Sequence, residues 1–121
     1  MDRQDTLILQ YGEQRFGVGV RRPRITVGRQ KGNDLLIQDA MVSKRHATVF
    51  LEHGHFFLED HSRNGTFLLT GRREVVHVKD SRQRLSGRGL IALGERPGTS
   101  LVLEIQFWTE LPGELQAGLA S

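Results

Sequence analysis

The sequence contains no cysteine, and only three of its 121 residues are proline. Without cysteine the chain has no disulfide framework, no thiolate zinc site and no thiol nucleophile. Long hydrophobic runs are missing as well: near the N-terminus only Leu7, Ile8 and Leu9 follow one another, fewer than a signal-peptide core or a membrane span requires. These absences favour a cytoplasmic protein that does not partner with a membrane.

No segment carries a long apolar stripe at helical spacing. Instead, apolar and polar residues alternate in runs of about four to eight residues, the usual length of β-strands. These runs are TLILQ, RFGVGV, RITVG, DLLIQD, HATVFLE, HFFLED, GTFLL, EVVHV, GLIALG and SLVLEIQF. A further segment, VHVKDSRQRLSG, is compatible with one coil or turn that ends at Gly87 and Gly89. The pattern predicts an all-β chain folded as an antiparallel β-sandwich.

Turn-forming residues separate these runs at regular intervals. They favour hairpins, and they are Tyr11-Gly12, Lys31 to Asp34, His53-Gly54, Asn64-Gly65, Thr70-Gly71 and Pro97-Gly98. A chain of this length is about one domain, which we place at residues 1–108. Residues 109–121, TELPGELQAGLAS, are predicted to form a flexible tail or the remnant of a linker.

Positive charge is in modest excess, with 17 Lys and Arg against 14 Asp and Glu. The cations are clustered, at Arg21, Arg22, Arg24, Arg29 and Lys31 and again at Arg72, Arg73, Lys79, Arg82, Arg84 and Arg88. Clusters of this kind favour a partner that carries phosphate in some form.

Three of the predicted loops carry polar groups suited to an anion. They are Gly28-Arg29, Ser43 to His46, and the segment DHSRNGTF from Asp60 to Phe67. Loops at one end of a sandwich form its usual binding surface, so we expect a cluster of Arg29, Ser43, Lys44, Arg63 and Asn64. Two guanidinium groups, an ammonium, a hydroxyl and a carboxamide are the groups that bind phosphate.

The order and spacing of these motifs resemble the forkhead-associated (FHA) domain. The resemblance comprises Gly28-Arg29, Asn33, Asp39, SKRHA, SRNGTF, GLIALG and LVLEIQF, and it extends from about Thr6 to Phe107. It implies a β-sandwich of about eleven strands that reads phosphothreonine in an extended peptide of a partner protein. It also implies an interaction module rather than an enzyme, with no cofactor and no metal.

The resemblance assigns roles to individual positions. Arg29, Ser43 and Lys44 would contact the phosphate, and Asn64 would hydrogen-bond the peptide backbone. The supporting residues would be Gly28, which gives the turn before Arg29, His46, which braces the loop of Ser43, and Gly65 and Thr66. Because Lys44 and Arg45 are adjacent near a strand start, we expect only Lys44 to face the pocket.

The chain departs from the family pattern at two places. Arg63 stands where many members have a threonine that touches phosphate, so it either grips the phosphate from the rim or lies in solvent. Thr70-Gly71 stands at a turn where many members have Asn-Gly, which affects no binding residue. The segment DHSRNGTF with LSGRGLIALG is further similar to FHA modules appended to bacterial signalling enzymes, nucleotide cyclases among them. We therefore expect other domains of a larger protein among the partners.

Catalysis and metal binding have weaker support. A hydrolase would need Ser43 as nucleophile, His46 as base and Asp39 to orient it, but the sequence has no G-x-S-x-G motif or glycine-rich oxyanion loop. A metal site would need His53, His55 and His61. Since His53 and His55 flank a predicted turn without a carboxylate partner, we interpret them as exposed turn residues.

Two other binding functions remain as alternatives. One is a basic nucleic-acid-binding domain, which would place aromatic rings among its cations. We instead expect the aromatic residues to lie mostly in the core: Phe50, Phe56, Phe57, Phe67, Phe107 and Trp108. The other alternative is an FHA-like scaffold that binds a partner independently of phosphate, which the substitution at Arg63 leaves open.

Overall fold

The computed structural model describes residues 5–96 and 103–110, which form eleven β-strands. The strands are β1 (Thr6–Tyr11), β2 (Gln14–Val18), β3 (Arg24–Gly28), β4 (Leu35–Leu36), β5 (Ala47–Glu52), β6 (His55–Asp60), β7 (Thr66–Thr70), β8 (Val75–Val78), β9 (Arg82–Leu85), β10 (Arg88–Leu93) and β11 (Glu104–Glu110). Within the same residues no helix has the length and apolar character needed to cross a lipid bilayer.

The strands form two sheets, which confirms the predicted sandwich. One sheet has six strands in the order β2-β1-β11-β10-β7-β8, and the other has five in the order β4-β3-β5-β6-β9. Every pairing between named strands is antiparallel except that of β3 with the two-residue β4, which is parallel.

The core lies between the sheets and follows from the alternation in the sequence. Successive side chains of a strand point to opposite faces, so residues two apart on the central strands share the face that packs into the core. The inward side chains include Leu7 and Leu9 of β1, Ile25 and Val27 of β3, Val49 of β5, Leu58 of β6, Ile91 and Leu93 of β10, and Ile105 and Phe107 of β11. This core fixes the ends of the strands, and with them the loops that carry the candidate site.

The predicted hairpins are right at three turns and wrong at two, which connect other pairs of strands. Tyr11-Gly12, His53-Gly54 and Thr70-Gly71 connect antiparallel neighbours. Asn64-Gly65, however, lies between β6 and β7, which belong to different sheets, and Lys31 to Asp34 connects the parallel pair β3 and β4. Pro97-Gly98 lies outside the described residues.

Two further expectations need correction. VHVKDSRQRLSG contains the end of β8 and the whole of β9, whose RQRL sequence lacks the expected alternation because β9 is an edge strand with exposed arginines. β11 continues through Thr109 and Glu110, two residues assigned to the tail. Residues 111–121 lie outside the described part.

The aromatic residues divide between the core and the surface. Phe56, Phe67 and Phe107 are buried as expected. Phe50 and Phe57 are half-buried instead, because their register places them on the outer face of the five-stranded sheet, with ring centroids 5.7 Å apart. Trp108 is half-buried in β11 beneath the guanidinium of Arg15.

Candidate functional site

Four loops meet at one end of the sandwich. They follow β3, precede β5, connect β6 to β7 and connect β8 to β9. Backbone hydrogen bonds join them, from the Arg29 N–H to the Ser43 carbonyl (3.0 Å), from the His61 N–H to the His46 carbonyl (2.8 Å) and from the Asp60 N–H to the Ser81 carbonyl (2.9 Å). These bonds make the loop end one connected surface.

Gly28 permits the closest approach between two of these loops. It is the last residue of β3, not a turn residue, so the expected turn before Arg29 is wrong. A Cβ at this position would collide with the Lys44 carbonyl oxygen and lie 2.7 Å from Nδ2 of Asn33. The same Asn33 Nδ2 donates to the carbonyls of Gln30 (2.7 Å) and Lys44 (2.8 Å). The absence of a side chain at Gly28 thus lets Asn33 connect the loops.

Arg29 is exposed on this surface and partly fixed in direction. Its Nε donates to the Val42 carbonyl at 2.9 Å. Its two terminal amino groups have no hydrogen-bond partner among the described residues. The guanidinium is therefore oriented by one bond and keeps donors for a ligand.

Ser43 is positioned by His46, and the bonds define the state of the imidazole. The Ser43 N–H donates to Nδ1 of His46 at 3.0 Å, so Nδ1 carries no proton. Nε2 lies 3.0 Å from the Gly65 carbonyl, which can only accept, so Nε2 carries the proton. His46 is thus a neutral brace that connects the loop of Ser43 to the loop of Asn64. The Ser43 hydroxyl accepts from the Arg63 N–H at 3.0 Å and keeps its own proton to donate.

The pKa of His46 reflects this arrangement. The side chain is fully buried, and burial lowers its pKa below the ordinary value of 6.5, against the opposing effects of Gly65 and Asp60. Protonation would also break the bond from the Ser43 N–H, since Nδ1 would become a donor.

This predicts a loss of stability in mild acid. Because the folded-state pKa of His46 lies below 6.5, the unfolded chain binds more protons as the pH falls below 6.5, and the free energy of unfolding decreases. Above that pH the contribution of the neutral imidazole is fully present. Urea denaturation between about pH 8 and pH 5 measures the effect. The variant His55→Gln, at an exposed histidine, should show the same dependence of the free energy of unfolding on pH as the wild type. A wild-type free energy of unfolding that does not change over this pH range would contradict the neutral, buried state assigned to His46.

Asp60 organises the loop between β6 and β7. Its buried carboxylate accepts from the hydroxyls of Ser62 (2.6 Å) and Thr66 (2.7 Å) and from the Asp80 N–H (2.9 Å). Burial alone would raise the pKa of Asp60, but these hydrogen bonds outweigh it and hold the pKa below its ordinary value. Ser62 in turn accepts from the Gly65 N–H at 2.7 Å. Thr66 therefore supports the site through Asp60.

Replacing Asp60 by Asn should loosen this loop. An amide group must turn its NH2 toward either the two hydroxyls or the Asp80 N–H, so we expect a loss of about 1–3 kcal/mol in the free energy of unfolding. The matched control is Asp80→Asn, at an exposed position with φ of 51° that Asn also adopts. Equal urea midpoints for Asp60→Asn and Asp80→Asn would contradict the role of Asp60.

Gly65 needs both its backbone freedom and its lack of a side chain. Its φ is 91°, a left-handed value that favours glycine, and a Cβ would overlap the imidazole of His77. His77 itself stacks on Phe67 with ring centroids 4.3 Å apart. The residue after Asn64 is thereby restricted to glycine, which fixes the turn that presents the Asn64 side chain.

The loops enclose an open depression of about 760 Å³. We call it the loop depression. The five residues predicted as the binding site all line it: Arg29, Ser43, Lys44, Arg63 and Asn64. Among the described residues that line it there is no carboxylate. The charged side chains that line the depression are therefore all positive.

The structure adds residues that the sequence interpretation missed. Arg45 lines the depression together with Lys44, because both lie in a bend before β5 begins at Ala47 and strand alternation does not apply to them. Lys79 also lines it, with Nζ donating to the Ser62 carbonyl at 2.9 Å and pairing with Asp80 at 2.8 Å. Lys79 lies beside the depression because Val78, the residue before it, pairs with Thr66 at the start of β7. Only the register of β7 and β8 could have indicated this position.

The geometry does not assemble a catalytic pair or a metal site. His46 bonds the main chain of Ser43 rather than its hydroxyl, and Asp39 accepts from the Met41 N–H at 2.9 Å instead of orienting His46. His55 is the first residue of β6 and His61 follows its last, so they lie at opposite ends of the strand, roughly 20 Å apart at 3.4 Å per residue. Over residues 5–96 and 103–110, no group of three or more potential ligand residues could hold a metal ion.

Known structures share this fold. The FHA-1 domain of Mycobacterium tuberculosis Rv1747 is 17% identical with a TM-score of 0.66, over 88% of this chain and 98% of that one. An FHA domain of an Arabidopsis thaliana protein is 22% identical with a TM-score of 0.63, and the match covers 89% of this chain and 86% of that one. The MEK1 FHA domain, solved with a phosphothreonine peptide of HOP1, is 19% identical with a TM-score of 0.61. That match covers 87% of this chain and 95% of the MEK1 domain. Because the sequence identities are this low, the similarity to these structures establishes the fold alone.

The family follows from the sequence match. Curated protein sequences give no significant match to the chain. The model of the FHA domain family, however, matches residues 25–94, which is more than half of the chain and runs from the second residue of β3 to the residue after β10. The matched region contains every residue of the loop depression. The chain belongs to the FHA domain family.

Proposed function

We propose that this chain binds a phosphothreonine-containing segment of a partner protein in the loop depression. The observation that carries the proposal is the set of donors around that depression, with no carboxylate among the described residues that line it. A phosphothreonine brings nearly two negative charges and three acceptor oxygens. The complex of the MEK1 FHA domain with a phosphothreonine peptide supports the same function here.

The contacts can be assigned to individual groups. Arg29 donates from its terminal amino groups to the phosphate, while its Nε stays on the Val42 carbonyl. Ser43 donates its hydroxyl proton, since its oxygen already accepts from the Arg63 N–H. Lys44 adds charge at the exposed rim. These are charge-assisted hydrogen bonds, which contribute about 1.5–3 kcal/mol each before ordering costs.

Asn64 fixes the register of the peptide. Its exposed carboxamide has no hydrogen-bond partner among the described residues, so both its donor and its acceptor are open to a peptide backbone. Arg63 stands beside it with a guanidinium that has no partner among the described residues, and it assists at the rim. The sum of these contacts, reduced by the cost of ordering a flexible peptide, corresponds to roughly micromolar binding, about 8 kcal/mol.

The biological mechanism is recruitment by a module that does no chemistry itself. A kinase creates the ligand and a phosphatase removes it. The neutral His46 that bonds the Ser43 backbone is a brace and does not activate the hydroxyl, which supports binding rather than catalysis. The cytoplasmic location, the attached domains and a bacterial signalling context stay predictions.

Nucleic-acid binding has one observation in its favour and two against it. Phe50 and Phe57 form a half-exposed ring pair on the outer face of the five-stranded sheet. Arg82, however, already covers both rings, with its guanidinium carbon 4.9 Å and 5.4 Å from the ring centroids. The same guanidinium pairs with Glu52 at 2.8 Å and Glu59 at 3.5 Å. Neither the rings nor the charge is open for stacked bases.

An NMR titration tests the proposed site. Adding a phosphothreonine peptide to the ¹⁵N-labelled chain should shift the amide signals around Arg29, Ser43 and Asn64, and the unphosphorylated peptide should leave them unchanged. The outer sheet face around Phe57 serves as an internal control. Shifts confined to that face, or shifts independent of phosphorylation, would contradict the proposal.

A further inference from the structure

A second basic pocket lies beside the loop depression. It is an indentation of about 600 Å³ on the outer face of the five-stranded sheet, and we call it the side pocket. Its lining includes Arg24, Thr26, Lys31, Asn33, Arg45 and Thr48. Arg45 and His61 line both the side pocket and the loop depression, so the two are neighbours.

Strand register and loop position explain how this pocket forms. Thr26 of β3 lies opposite Thr48 of β5, and Arg24 is on the same face as Thr26 because a single residue separates them along the strand. Lys31 and Asn33 close the pocket from the loop between β3 and β4, where their backbones form a bridge. The cations therefore come from three separate segments that the fold brings to one place.

The side pocket has uncompensated positive charge. Among the described residues, three cations pair with a carboxylate, and they are Arg22, Lys79 and Arg82. Arg24, Lys31 and Arg45 have no carboxylate within ion-pair distance among the described residues. The nearby Asp34 is already engaged, by the Thr26 N–H at 2.8 Å and by Arg22 at 2.8 Å.

Several neutral polar groups of the pocket already have partners within the protein. The Thr26 hydroxyl accepts from the Asp34 N–H at 3.0 Å and donates to its carboxylate at 3.2 Å, while the Thr48 hydroxyl bonds Nε2 of His61 at 3.1 Å. The carboxamide of Gln30, which also lines the pocket, has no hydrogen-bond partner among the described residues, so the cations are the open donors that carry charge. Like charges held together in a partly enclosed pocket repel one another, and an anion relieves that repulsion.

We propose that the side pocket binds a second anionic group of the same phosphopeptide ligand, a phosphate or a carboxylate. This inference rests on the proposed function, because the phosphothreonine in the loop depression positions the peptide that reaches past Arg45. Arg45 lies between the two anions and interacts with both. The preferred ligand then carries a second phosphorylated or acidic residue on one flank of its phosphothreonine.

A peptide series measures the effect. One phosphoserine, one glutamate or one alanine is moved along both flanks of a fixed phosphothreonine, and affinities are measured by fluorescence anisotropy at constant salt. We expect one register in which the phosphoserine peptide binds about tenfold more tightly than the alanine peptide. The glutamate peptides distinguish the two sources of negative charge. Equal increases in affinity with glutamate and phosphoserine indicate a site for any anion, and a larger increase with phosphoserine indicates a phosphate site.

The variant Arg24→Gln with Lys31→Gln tests whether the gain arises in the side pocket. Both residues are exposed and lie outside the loop depression, so affinity for the singly phosphorylated peptide should stay within about twofold. The gain from the second anion should disappear. Arg72→Gln together with Arg73→Gln removes the same charge from the β7–β8 turn at the opposite end of the sandwich and should keep the gain. A gain that survives in the side-pocket variant overturns the inference, as does a series without any preferred register.

Failure of the proposed function gives a different result. If no phosphothreonine peptide binds, the proposed function is wrong. Anion binding in the side pocket is then tested by titrating the ¹⁵N-labelled chain with inorganic phosphate. Amide shifts at Lys31 and Gly32 that vanish in the side-pocket variant would support an anion site there. Their absence would overturn it.

Discussion

Replacing Arg29 by Ala should reduce the affinity for a phosphothreonine peptide by at least about 100-fold, close to 3 kcal/mol. The guanidinium is the one cation of the loop depression that the protein orients by its own Nε bond while its terminal amino groups stay open. Under the proposed function, its removal takes away the phosphate contact of those amino groups and leaves Lys44 and Ser43 without their strongest neighbour. Fluorescence anisotropy with a labelled peptide measures the loss.

The fold should tolerate this change. Arg29 is exposed, and the substitution removes a single side-chain hydrogen bond to the Val42 carbonyl, worth about 1 kcal/mol. Arg72→Ala, which removes the same charge at the opposite end of β7, is the matched control and should bind normally. A folded Arg29→Ala variant with wild-type affinity would show that the phosphate lies elsewhere.

His46→Ala should cost both stability and binding. The substitution empties a fully buried site and leaves the Ser43 N–H and the Gly65 carbonyl without their partner. A buried cavity together with unsatisfied polar groups predicts a loss of about 3–5 kcal/mol in the free energy of unfolding. The loop of Ser43 and the loop of Asn64 would then lose their buried side-chain connection, so the affinity of the folded fraction should fall as well.

Urea denaturation and anisotropy measure the two effects of His46→Ala separately. His55→Ala, at an exposed position at the start of β6, is the matched control and should change neither. His46→Asn gives a second variant that keeps a donor and an acceptor if the alanine variant does not fold. A stable His46→Ala protein with unchanged affinity would contradict the bracing role.

Much of the fold could be predicted because it depends on local chemistry. Alternating apolar residues identified every strand except β9, which is a polar edge strand, and glycine turns identified hairpins such as His53-Gly54. Asn64-Gly65 has the same local chemistry but connects two sheets, so local preference could not distinguish the two uses. The same limit explains Phe50 and Phe57, whose pattern is that of core residues although their register faces outward.

The candidate site was predictable only as far as its residues lie in motifs. Arg29, Ser43 and Asn64 belong to such motifs, and all three line the loop depression. Lys79 reaches it through the pairing of β7 with β8, and Asp60 acts through a buried network, so neither has a local signal. Gly28 shows the converse: its position was predicted, but its reason is the close approach of the Lys44 carbonyl rather than a turn.

The most direct test of the account compares binding of a degenerate phosphothreonine peptide pool with that of its unphosphorylated counterpart. Matched phosphoserine peptides and a short DNA duplex serve as competitors at two salt concentrations. We predict anisotropy changes with the phosphothreonine pool alone, resistant to DNA and lost in Arg29→Ala. Equal binding of both pools, or salt-sensitive displacement by DNA, would contradict phosphate recognition in the loop depression.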